Sequence, residues 1–502
     1  MSKSYIIAYD LGTSGCKTAV FDEEGHLKES VTSRYPTYYK NDDRAEQDPY
    51  EWWQAVCNST RKLLLQSKIG NSQILCVVFS GQMAGCLPVD SDGKPLHNSI
   101  IWADRRAAVL DSKIQKILGL KRIYDITGNR ANPVYTGHKI FWFREEEPGI
   151  YNKTYKFLQA KDYIALKFTG KQFVTDFSEA SCTNLFNIKE RKWSDEILDC
   201  LNISKEKLPE IVSSTQIVGE ISEKAAEETG LKRGTPVVIG GGDGPCAAVG
   251  AGVVQEGEAA YIYLGSSAWI SSSMSEPLLD EKQQLANYCH IVPNYYVPTG
   301  TMQSAGTSFE WALKTIGGLR DVDNLYSIME KKAESVAPGS NGLIFLPYLL
   351  GERTPYWNPR AKGAFIGLTL QHDECHLLRS VLEGVAFHLR LICDIFINQK
   401  VEIEKLVVIG GGAKNDLLLK ILADVLGIPI HVPALLEEAN TLGAYAAGGV
   451  GIGLFDNFEI VKQFLKINKA FYPEDKNTSL YSELYEKFNK FYTAIEPIYD
   501  SH

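Results

Sequence analysis

Short apolar runs separated by glycine-containing turns open the chain, and this pattern is typical of consecutive β-strands. The runs cover residues 5–9, 18–22 and 26–32. We predict that they form three antiparallel strands. Apolar periodicity then predicts a helix over residues 49–67, and an uninterrupted apolar run predicts a buried strand over residues 74–80.

The opening pattern returns in the second half of the chain. A β-prone run over residues 259–264 leads into a small-residue turn and a second run over residues 269–273. The later segments predict a strand, a glycine loop, a helix, a strand and a helix, at residues 406–409, 410–413, 415–426, 428–432 and 441–449. The repetition indicates duplication of one α/β unit.

The length of the chain, 502 residues, exceeds what one hydrophobic core normally supports. We predict two domains, residues 1–247 and 248–502, with a cleft between them. The glycine-rich stretch 236–254 is expected to be a turn between structural elements. The final fifty residues are expected to form a helical, peripheral tail.

Composition narrows the classes of partner. A net charge of −9 disfavours nucleic acid and anionic membranes, since both bind basic surfaces. The ten cysteines are scattered without a Cys-x-x-Cys pair, which suits reduced thiols that serve mostly as small core residues. The first apolar run is too short for a signal peptide, so we expect a cytoplasmic protein.

The first candidate motif runs from Asp10 to Lys17 and combines a carboxylate at a strand end with a Gly/Thr/Ser hairpin. Such a carboxylate suits Mg²⁺, and the adjacent N–H and hydroxyl groups suit phosphate. An ordinary hairpin in which Asp10 caps its own turn fits this motif equally well. Lys17 either contacts phosphate or flanks the strand.

The second motif places Asp243 among Gly240, Gly241, Gly242 and Gly244. Glycines let a ligand approach the backbone closely, and a carboxylate at a strand end can serve as a general base toward a hydroxyl. The alternative is a simple Asp-Gly turn, which would not require so many glycines.

Two further loops follow strands, one at residues 265–267 and one at residues 410–412. Their exposed N–H groups suit phosphate or a nucleoside. The chain contains none of the P-loop, Gly-x-Gly-x-x-Gly, Gly-x-Ser-x-Gly or His-Glu-x-x-His motifs. Classical P-loop, Rossmann, hydrolase and zinc-protease chemistry are therefore disfavoured.

Together, Asp10, the two Gly/Ser/Thr turns and the distal triple glycine resemble the sugar-kinase, actin and heat-shock ATPase superfamily. In that superfamily two ribonuclease-H-like α/β domains close over a nucleotide. Within it, the chain resembles the FGGY carbohydrate kinases over nearly its whole length. Residues 363–368, followed after seven residues by residues 376–383, are similar to the C-terminal signature of that family at every constrained position.

Other segments resemble the xylulokinase branch of the family, at residues 46–49, 52–53, 80–83, 101–106, 161–163, 346–348 and 351–355. One position differs. Xylulokinases usually read Gly-Gln-Met-His-Gly, whereas Ala84 stands here in place of the histidine. The missing imidazole leaves the choice of substrate open, unless water or another side chain replaces it.

The resemblance implies phosphorylation of a sugar hydroxyl by ATP and Mg²⁺, with D-xylulose as the first candidate acceptor. It implies Asp243 as the general base and Asp10 as the metal carboxylate. The implied substrate contacts are Gln82, Met83, Ala84, Trp102, Asp104 and Asp243. The implied nucleotide contacts are Thr13, Ser14, Gly15, Lys17, Gly265, Ser266, Gly306, Gly411, Gly412 and Asn415.

The partner is then a small sugar or polyol, with no nucleic acid and no membrane, and a homodimer is left open. Three other interpretations compete: a catalytically silent sugar sensor, a filament-forming actin relative, and a kinase of ribulose, L-xylulose, gluconate, erythritol or glycerol. The pairing of Asp10 with Asp243 disfavours the sensor, and the sugar motifs disfavour the filament.

Overall fold

The computed structural model describes residues 3–40, 43–257, 259–316 and 325–499, and in it each half of the chain builds one large mixed β-sheet. The strands of the first half are β1 (Tyr5–Leu11), β2 (Gly15–Asp22), β3 (Leu27–Arg34), β4 (Tyr38–Lys40), β5 (Arg44–Gln47), β6 (Ile74–Gly81), β7 (Leu87–Val89), β8 (Ser99–Ile100), β9 (Lys156–Leu158), β10 (Val174–Asp176), β11 (Phe186–Asn187), β12 (Lys192–Trp193), β13 (Glu210–Val212), β14 (Ile217–Glu220) and β15 (Pro236–Gly242). Its helices are α1 (Pro49–Ser67), α2 (Asp111–Leu118), α3 (Leu120–Thr127), α4 (Thr136–Glu146), α5 (Pro148–Lys153), α6 (Ala160–Thr169), α7 (Phe177–Ser181), α8 (Asp195–Leu201), α9 (Glu223–Thr229) and α10 (Asp243–Gly250).

Among the described residues, the second half has fewer strands than the first half and longer helices. Its strands are β16 (Ala260–Leu264), β17 (Ala268–Ser272), β18 (Ala286–Cys289), β19 (Tyr296–Met302), β20 (Ile344–Leu346), β21 (Ala364–Ile366), β22 (Leu406–Ile409), β23 (Ile430–Pro433) and β24 (Ile467–Phe471). Its helices are α11 (Gly306–Thr315), α12 (Leu325–Glu334), α13 (Glu374–Asn398), α14 (Asp416–Leu426), α15 (Ala439–Gly451), α16 (Val461–Phe464) and α17 (Asp475–Tyr499).

The first sheet has the order β14-β15-β6-β1-β2-β3. Strands β1, β2 and β3 are antiparallel neighbours, as the sequence predicts, and β1, β6 and β15 run parallel to one another. Because the carboxyl ends of parallel strands meet at one edge of a sheet, the residues that follow β1, β6 and β15 are brought together there.

The second sheet repeats this plan in the order β18-β19-β17-β16-β22-β23-β24. Strand β16 is antiparallel to β17 and parallel to β22, and β22 is parallel to β23. Strands β16, β17, β19, β22 and β23 thus correspond to β1, β2, β3, β6 and β15. The duplication of one α/β unit that the sequence predicts is confirmed.

Helices α10 and α15 pack against each other and join the two halves. A Cβ added to Gly250 of α10 would lie 1.9 Å from the carbonyl oxygen of Ala439, and one added to Gly443 of α15 would lie 1.9 Å from that of Cys246. The backbones of α10 and α15 therefore touch, and no larger residue fits at either crossing point. The domain boundary predicted after residue 247 lies inside α10 and stays a prediction.

Two predictions of local structure are wrong. The stretch 236–254 is not a turn, because β15 runs directly into α10 and its glycines pack against neighbouring backbone. The C-terminal helix α17 is not peripheral. Tyr481, Phe488 and Tyr492 lie on one face of α17 at helical spacing and are buried in the core of the second half, while β24 closes the edge of its sheet.

All ten cysteines are free thiols and eight of them are buried, in agreement with the sequence analysis. Within the four described ranges, no helix has both the length and the apolar content that a membrane span needs. The ends of the predicted domains, residues 1 and 502, lie outside those ranges.

Candidate active site

Asp10 lies near the carboxyl end of β1, opposite Ser80 of β6 in the parallel register. Its Oδ1 accepts a hydrogen bond of 2.8 Å from the Ser80 hydroxyl, and its Oδ2 accepts one of 3.1 Å from Asn440 Nδ2. Burial raises the pKa of the Asp10 carboxyl, while the two hydrogen bonds oppose that rise. Because Asn440 belongs to α15, both halves of the chain hold this carboxylate.

Asp243 is the first residue of α10 and follows β15 at the same edge of the first sheet. Its Oδ1 accepts a hydrogen bond of 2.8 Å from the N–H of Gly244. Burial and, next, the nearby charge of Asp10 raise the pKa of Asp243 from 3.8 to about 7. A carboxylate with this pKa can accept a proton near neutral pH, as a general base must.

Glycines before Asp243 allow close packing of the strand end. Gly240 has φ +67°, and a Cβ there would lie 1.7 Å from the Phe79 carbonyl oxygen. A Cβ on Gly242 would lie 2.6 Å from Met83 Sδ. The N–H of Gly242 donates to Ser178 Oγ over 2.8 Å. These contacts show that the strand end needs glycines because no larger residue would fit. They also fix the position of the Asp243 backbone.

The hairpin between β1 and β2 closes through a hydrogen bond of 3.0 Å from the Gly12 N–H to the Gly15 carbonyl. Thr13 Oγ1 accepts a hydrogen bond of 2.9 Å from the indole N–H of Trp102, and Ser14 is exposed at the tip. The hairpin thus carries Thr13, Ser14 and Gly15 three to five residues after Asp10, with Thr13 in contact with Trp102. Their contacts with phosphate stay a prediction.

Lys17 reaches across to the other half of the molecule. Its Nζ donates to the Glu437 carbonyl over 2.6 Å and lies 3.6 Å from Glu438 Oε1. Both glutamates directly precede α15, so Lys17 links the hairpin to the helix that supplies Asn440. In this structure the charge of Lys17 is directed at protein acceptors, and its predicted contact with phosphate would require it to leave them.

Three of the predicted sugar-binding residues form the segment 82–84. Met83 and Ala84 pack with Tyr135 and Cys182, and Ala84 adopts φ +61°. Gln82 Nε2 donates to Gln47 Oε1 over 2.7 Å. Trp102 is 40% exposed, although it is a large apolar residue. An exposed indole beside Thr13 is the arrangement expected of a ring that contacts a ligand.

Asp104 differs from the other predicted substrate contacts because its carboxylate is already occupied. The residue is 1% exposed. Its Oδ2 lies 2.7 Å from Arg106 Nη2 and accepts a hydrogen bond of 2.7 Å from the Ala45 N–H. The structure therefore favours a supporting role, in which Asp104 and Arg106 hold the loop that presents Trp102, over direct contact with substrate.

On the second half, the predicted nucleotide loops converge. The N–H of Gly306, at the start of α11, donates to the Gly265 carbonyl over 3.0 Å, and a Cβ on Gly306 would lie 2.5 Å from that oxygen. The Ser266 carbonyl accepts a hydrogen bond of 3.0 Å from the Ala305 N–H. Gly265, Ser266 and Gly306 are thereby brought together at a helix N-terminus.

The triple-glycine loop after β22 is a short 3₁₀ turn, residues Gly411–Lys414. A Cβ on Gly411 would meet no atom within 4 Å, so this glycine faces open space, whereas Gly412 packs on Leu264. Asn415 Oδ1 caps α14 by accepting a hydrogen bond of 2.8 Å from the Leu418 N–H. Capping occupies the oxygen of Asn415, so any predicted contact with adenosine falls to its amide nitrogen.

Lys139 has a structural role that the sequence analysis missed. It is fully buried, and its Nζ donates to the carbonyls of Ala84, Ile101 and Val134 over 2.6, 2.8 and 2.7 Å. Burial lowers its pKa to about 8. A lysine directly before the apolar run 140–143 was the available signal, since buried lysines need partners.

Comparison with known proteins identifies the family. Sequence models of the N-terminal and C-terminal domains of the FGGY family of carbohydrate kinases match residues 5–250 and 260–452. The chain belongs to this family. A xylulose kinase from Lactococcus lactis subsp. lactis is 34% identical over 498 residues, covering 99% of this chain and 98% of the relative.

Gluconate kinases are also similar. A gluconokinase from Bacillus licheniformis is 31% identical over 504 residues, covering 99% of this chain and 97% of the relative. The crystal structure of gluconate kinase from Lactobacillus acidophilus superposes with a TM-score of 0.92 at 28% identity, covering 98% of each chain. The protein is thus an FGGY carbohydrate kinase with the two-domain fold of that family, and membership implies ATP as the phosphoryl donor.

Proposed function

We propose that this kinase phosphorylates D-xylulose to D-xylulose 5-phosphate, with Asp243 as the general base. The observation that carries the role of Asp243 is its placement at the sheet edge beside Asp10, with a pKa of about 7. The choice of D-xylulose rests on the motifs shared with xylulokinases and on relatives named xylulose kinase at 31–34% identity.

In the proposed reaction Asp243 accepts the proton of the attacking hydroxyl as its oxygen bonds to the γ-phosphorus of ATP. The bond from that phosphorus to the bridging oxygen breaks, and ADP leaves. Transfer of this kind passes through a loose, in-line transition state, so positioning and charge stabilisation provide most of the catalysis. Closure of the two halves would exclude water as a competing acceptor.

Phosphate binding is assigned to the two hairpin turns, which offer backbone N–H groups and hydroxyls. In this proposal Thr13, Ser14 and Gly15 face the turn formed by Gly265 and Ser266. Gly306 adds the N-terminus of α11, where the helix dipole favours negative charge. Gly411 and Gly412 would lie along the adenosine, because Gly411 has open space around it.

The residues at the sheet edge also fit Mg²⁺. Asp10 is an oxygen ligand of the type that Mg²⁺ prefers, and the repulsion between Asp10 and Asp243 would be relieved by a cation. When bound, Mg²⁺ supplies charge neutralisation for the phosphates. Ser80 and Asn440 hold the Asp10 carboxylate in place for this role.

Gluconate is the second candidate acceptor, and two arginines favour it. Arg130 stacks over Trp357, with its guanidinium carbon 5.2 Å from the ring centroid. Arg353 is near Tyr135 and Tyr288, where its charge opposes the increase in pKa that burial causes. In the described ranges neither guanidinium makes an ion pair with a carboxylate within 4.0 Å, although the charges of Asp280 and Glu352 act on Arg130 and Arg353 from farther away. Either one could receive the carboxylate of a sugar acid near Ala84.

The acceptor is tested by measuring ADP release at saturating Mg·ATP with D-xylulose, D-gluconate, D-ribulose, L-xylulose, erythritol and glycerol. We expect the highest kcat/KM with D-xylulose. A higher kcat/KM with gluconate, lost in Arg353→Met while turnover of neutral sugars persists, would replace D-xylulose by the acidic sugar. The same assay with Asp243→Ala tests the base, because turnover of every acceptor should then disappear.

A further inference from the structure

Glu179, in the short helix α7, carries a carboxyl group that makes no hydrogen bond within the described part of the chain. It is fully buried, at 0% exposure, and neither of its side-chain oxygens has a hydrogen-bond partner among the described residues. Burial raises the pKa of this carboxyl well above its ordinary value. Burial thus favours the uncharged form of this carboxyl, which can both donate and accept a hydrogen bond.

The lysine whose charge acts on Glu179 is committed to other carboxylates. Lys161 is buried beside Glu179, but its Nζ lies 2.8 Å from Asp162 Oδ1 and 2.9 Å from Asp176 Oδ1. Asp176 also accepts hydrogen bonds from the hydroxyls of Ser178 and Ser214. This network is satisfied without Glu179, so internal pairing does not explain why a carboxyl is buried at position 179.

The position of Glu179 relates it to the sugar-binding segment. The N–H of Cys182 donates to the Glu179 carbonyl over 3.1 Å, and residues three apart in a helical turn share one face. Cys182 packs directly against Ala84. From the other side, a Cβ on Gly81 would lie 3.0 Å from Lys161 Cβ, so segment 81–84 begins in contact with the buried network that borders Glu179.

Segment 82–84 itself has unused hydrogen-bonding capacity. Gln82 is 2% exposed, and its Oε1 has no partner in the described part of the chain. Ala84 contributes no polar side-chain group. A ligand rich in hydroxyls could satisfy both the Gln82 oxygen and the Glu179 carboxyl, and such a ligand is what the proposed function places at this segment.

We propose that Glu179 is a specificity-determining residue, whose carboxyl hydrogen-bonds a hydroxyl of the acceptor sugar beneath segment 81–84. This inference rests on the proposed function for the location of the sugar. Glu179 then supplies, from α7, a polar group to the pocket that Ala84 cannot supply. It does not touch the transferring phosphoryl group, so its effect falls on acceptor binding and leaves ATP binding unchanged.

The test compares Glu179→Gln, Glu179→Met and Thr175→Val in the full-length kinase. Thr175→Val is the matched control, since Thr175 is 2% exposed and also has an unpartnered hydroxyl, but lines a separate internal cavity with Gln159. We expect Glu179→Met to raise the KM for D-xylulose about tenfold or more with an unchanged KM for ATP. Glu179→Gln, whose amide still donates, should stay within about threefold of the wild type.

Thermal unfolding without sugar separates binding from folding. Glu179→Met removes a buried, unpartnered polar group, so we expect its unfolding temperature to equal or exceed that of the wild type. Equal KM values for D-xylulose in Glu179→Met and the wild type would overturn the proposal. So would loss of folding in Glu179→Gln, which would indicate a structural role. If the wild type phosphorylates gluconate and not D-xylulose, the proposed acceptor is wrong, and the same KM comparison with gluconate decides the role of Glu179.

Discussion

The hairpins of the two halves have the same strand pairing, but one carries charged side chains where the other carries aromatic ones. Asp10 of β1 lies opposite Lys17 of β2 in the strand register. At the equivalent position of β16 and β17, Tyr263 lies opposite Trp269. The two aromatic rings stack with centroids 4.1 Å apart and planes 9° apart. One copy of the fold thus carries an acidic and a basic side chain beside its turn, whereas the other presents a flat aromatic surface beside the Gly265-Ser266 turn.

The ends of the third parallel strands differ in the same way. Strand β15 is followed by Asp243, whereas the corresponding helix of the second half, α15, carries Asn440 and donates it to Asp10. The second copy therefore supports the Asp10 carboxylate of the first, for which we propose a catalytic role, and does not duplicate it. This difference indicates that the duplicated backbone forms the cleft, whereas the proposed chemistry depends on side chains that differ between matching positions of the two copies.

Removing the base should have the largest effect. We expect Asp243→Asn to lower kcat by roughly 10²- to 10⁴-fold, since general bases contribute about that much. The folded pKa of about 7 lies above the ordinary value of 3.8. Wild-type stability should therefore fall as the pH rises between those values, and the variant should escape that loss. ADP release and thermal unfolding from pH 4 to 8 measure both effects.

The control for this variant is Asp416→Asn, in the exposed first turn of α14. It should keep wild-type kcat. Wild-type kcat should rise with pH through about 7, as Asp243 loses its proton. A flat profile across that range would count against Asp243 as the base.

Removing the charge of Asp10 should have the second largest effect. Asp10→Asn should lower kcat about 10²- to 10³-fold, as loss of a preorganised electrostatic contact does. The variant also removes the charge that raises the pKa of Asp243. We therefore expect the residual activity to titrate at lower pH than the wild type. If the pH profile of that residual activity is unshifted, the charge of Asp10 does not influence the pKa of Asp243.

The junction of the halves should be sensitive to one methyl group. In Gly443→Ala the new Cβ would lie 1.9 Å from the Cys246 carbonyl oxygen, so α10 and α15 must separate. We expect a loss of about 1–3 kcal/mol in the free energy of unfolding. Gly149→Ala is the control, because a Cβ there meets no atom within 4 Å. Urea unfolding of both variants checks the difference.

The smallest effect should come from Lys17. If Lys17 moves from Glu437 and Glu438 to phosphate when ATP binds, Lys17→Met should raise the KM for ATP by about tenfold. Lys414→Met removes the other lysine that contacts Glu437 and should leave that KM unchanged. Equal effects of the two variants would mean that only the ion pairs of Glu437 matter.

Much of the site is readable from local pattern. Asp10 and Asp243 are recognisable because each combines a strand end with small residues, a signal confined to a few neighbouring positions. The segment 236–254 shows the limit of that method, because its glycines resemble a turn although they serve close packing against Phe79 and Met83. Asp104 shows a second limit, since its motif gives no sign that Arg106 occupies the carboxylate.

Sequence by itself determined the opening strands, the order of elements after residue 406, the duplicated α/β unit and the family, and it singled out the two carboxylates as candidates, because periodicity, turn residues and short motifs are local properties of a chain. Only the tertiary structure decided that Asn440 and Ser80 hold Asp10, that Lys139 ties three loops together and that Glu179, near Ala84, has no hydrogen-bond partner among the described residues. Those facts depend on contacts between residues far apart in sequence, because the fold decides both which polar groups are buried and which of them find a partner.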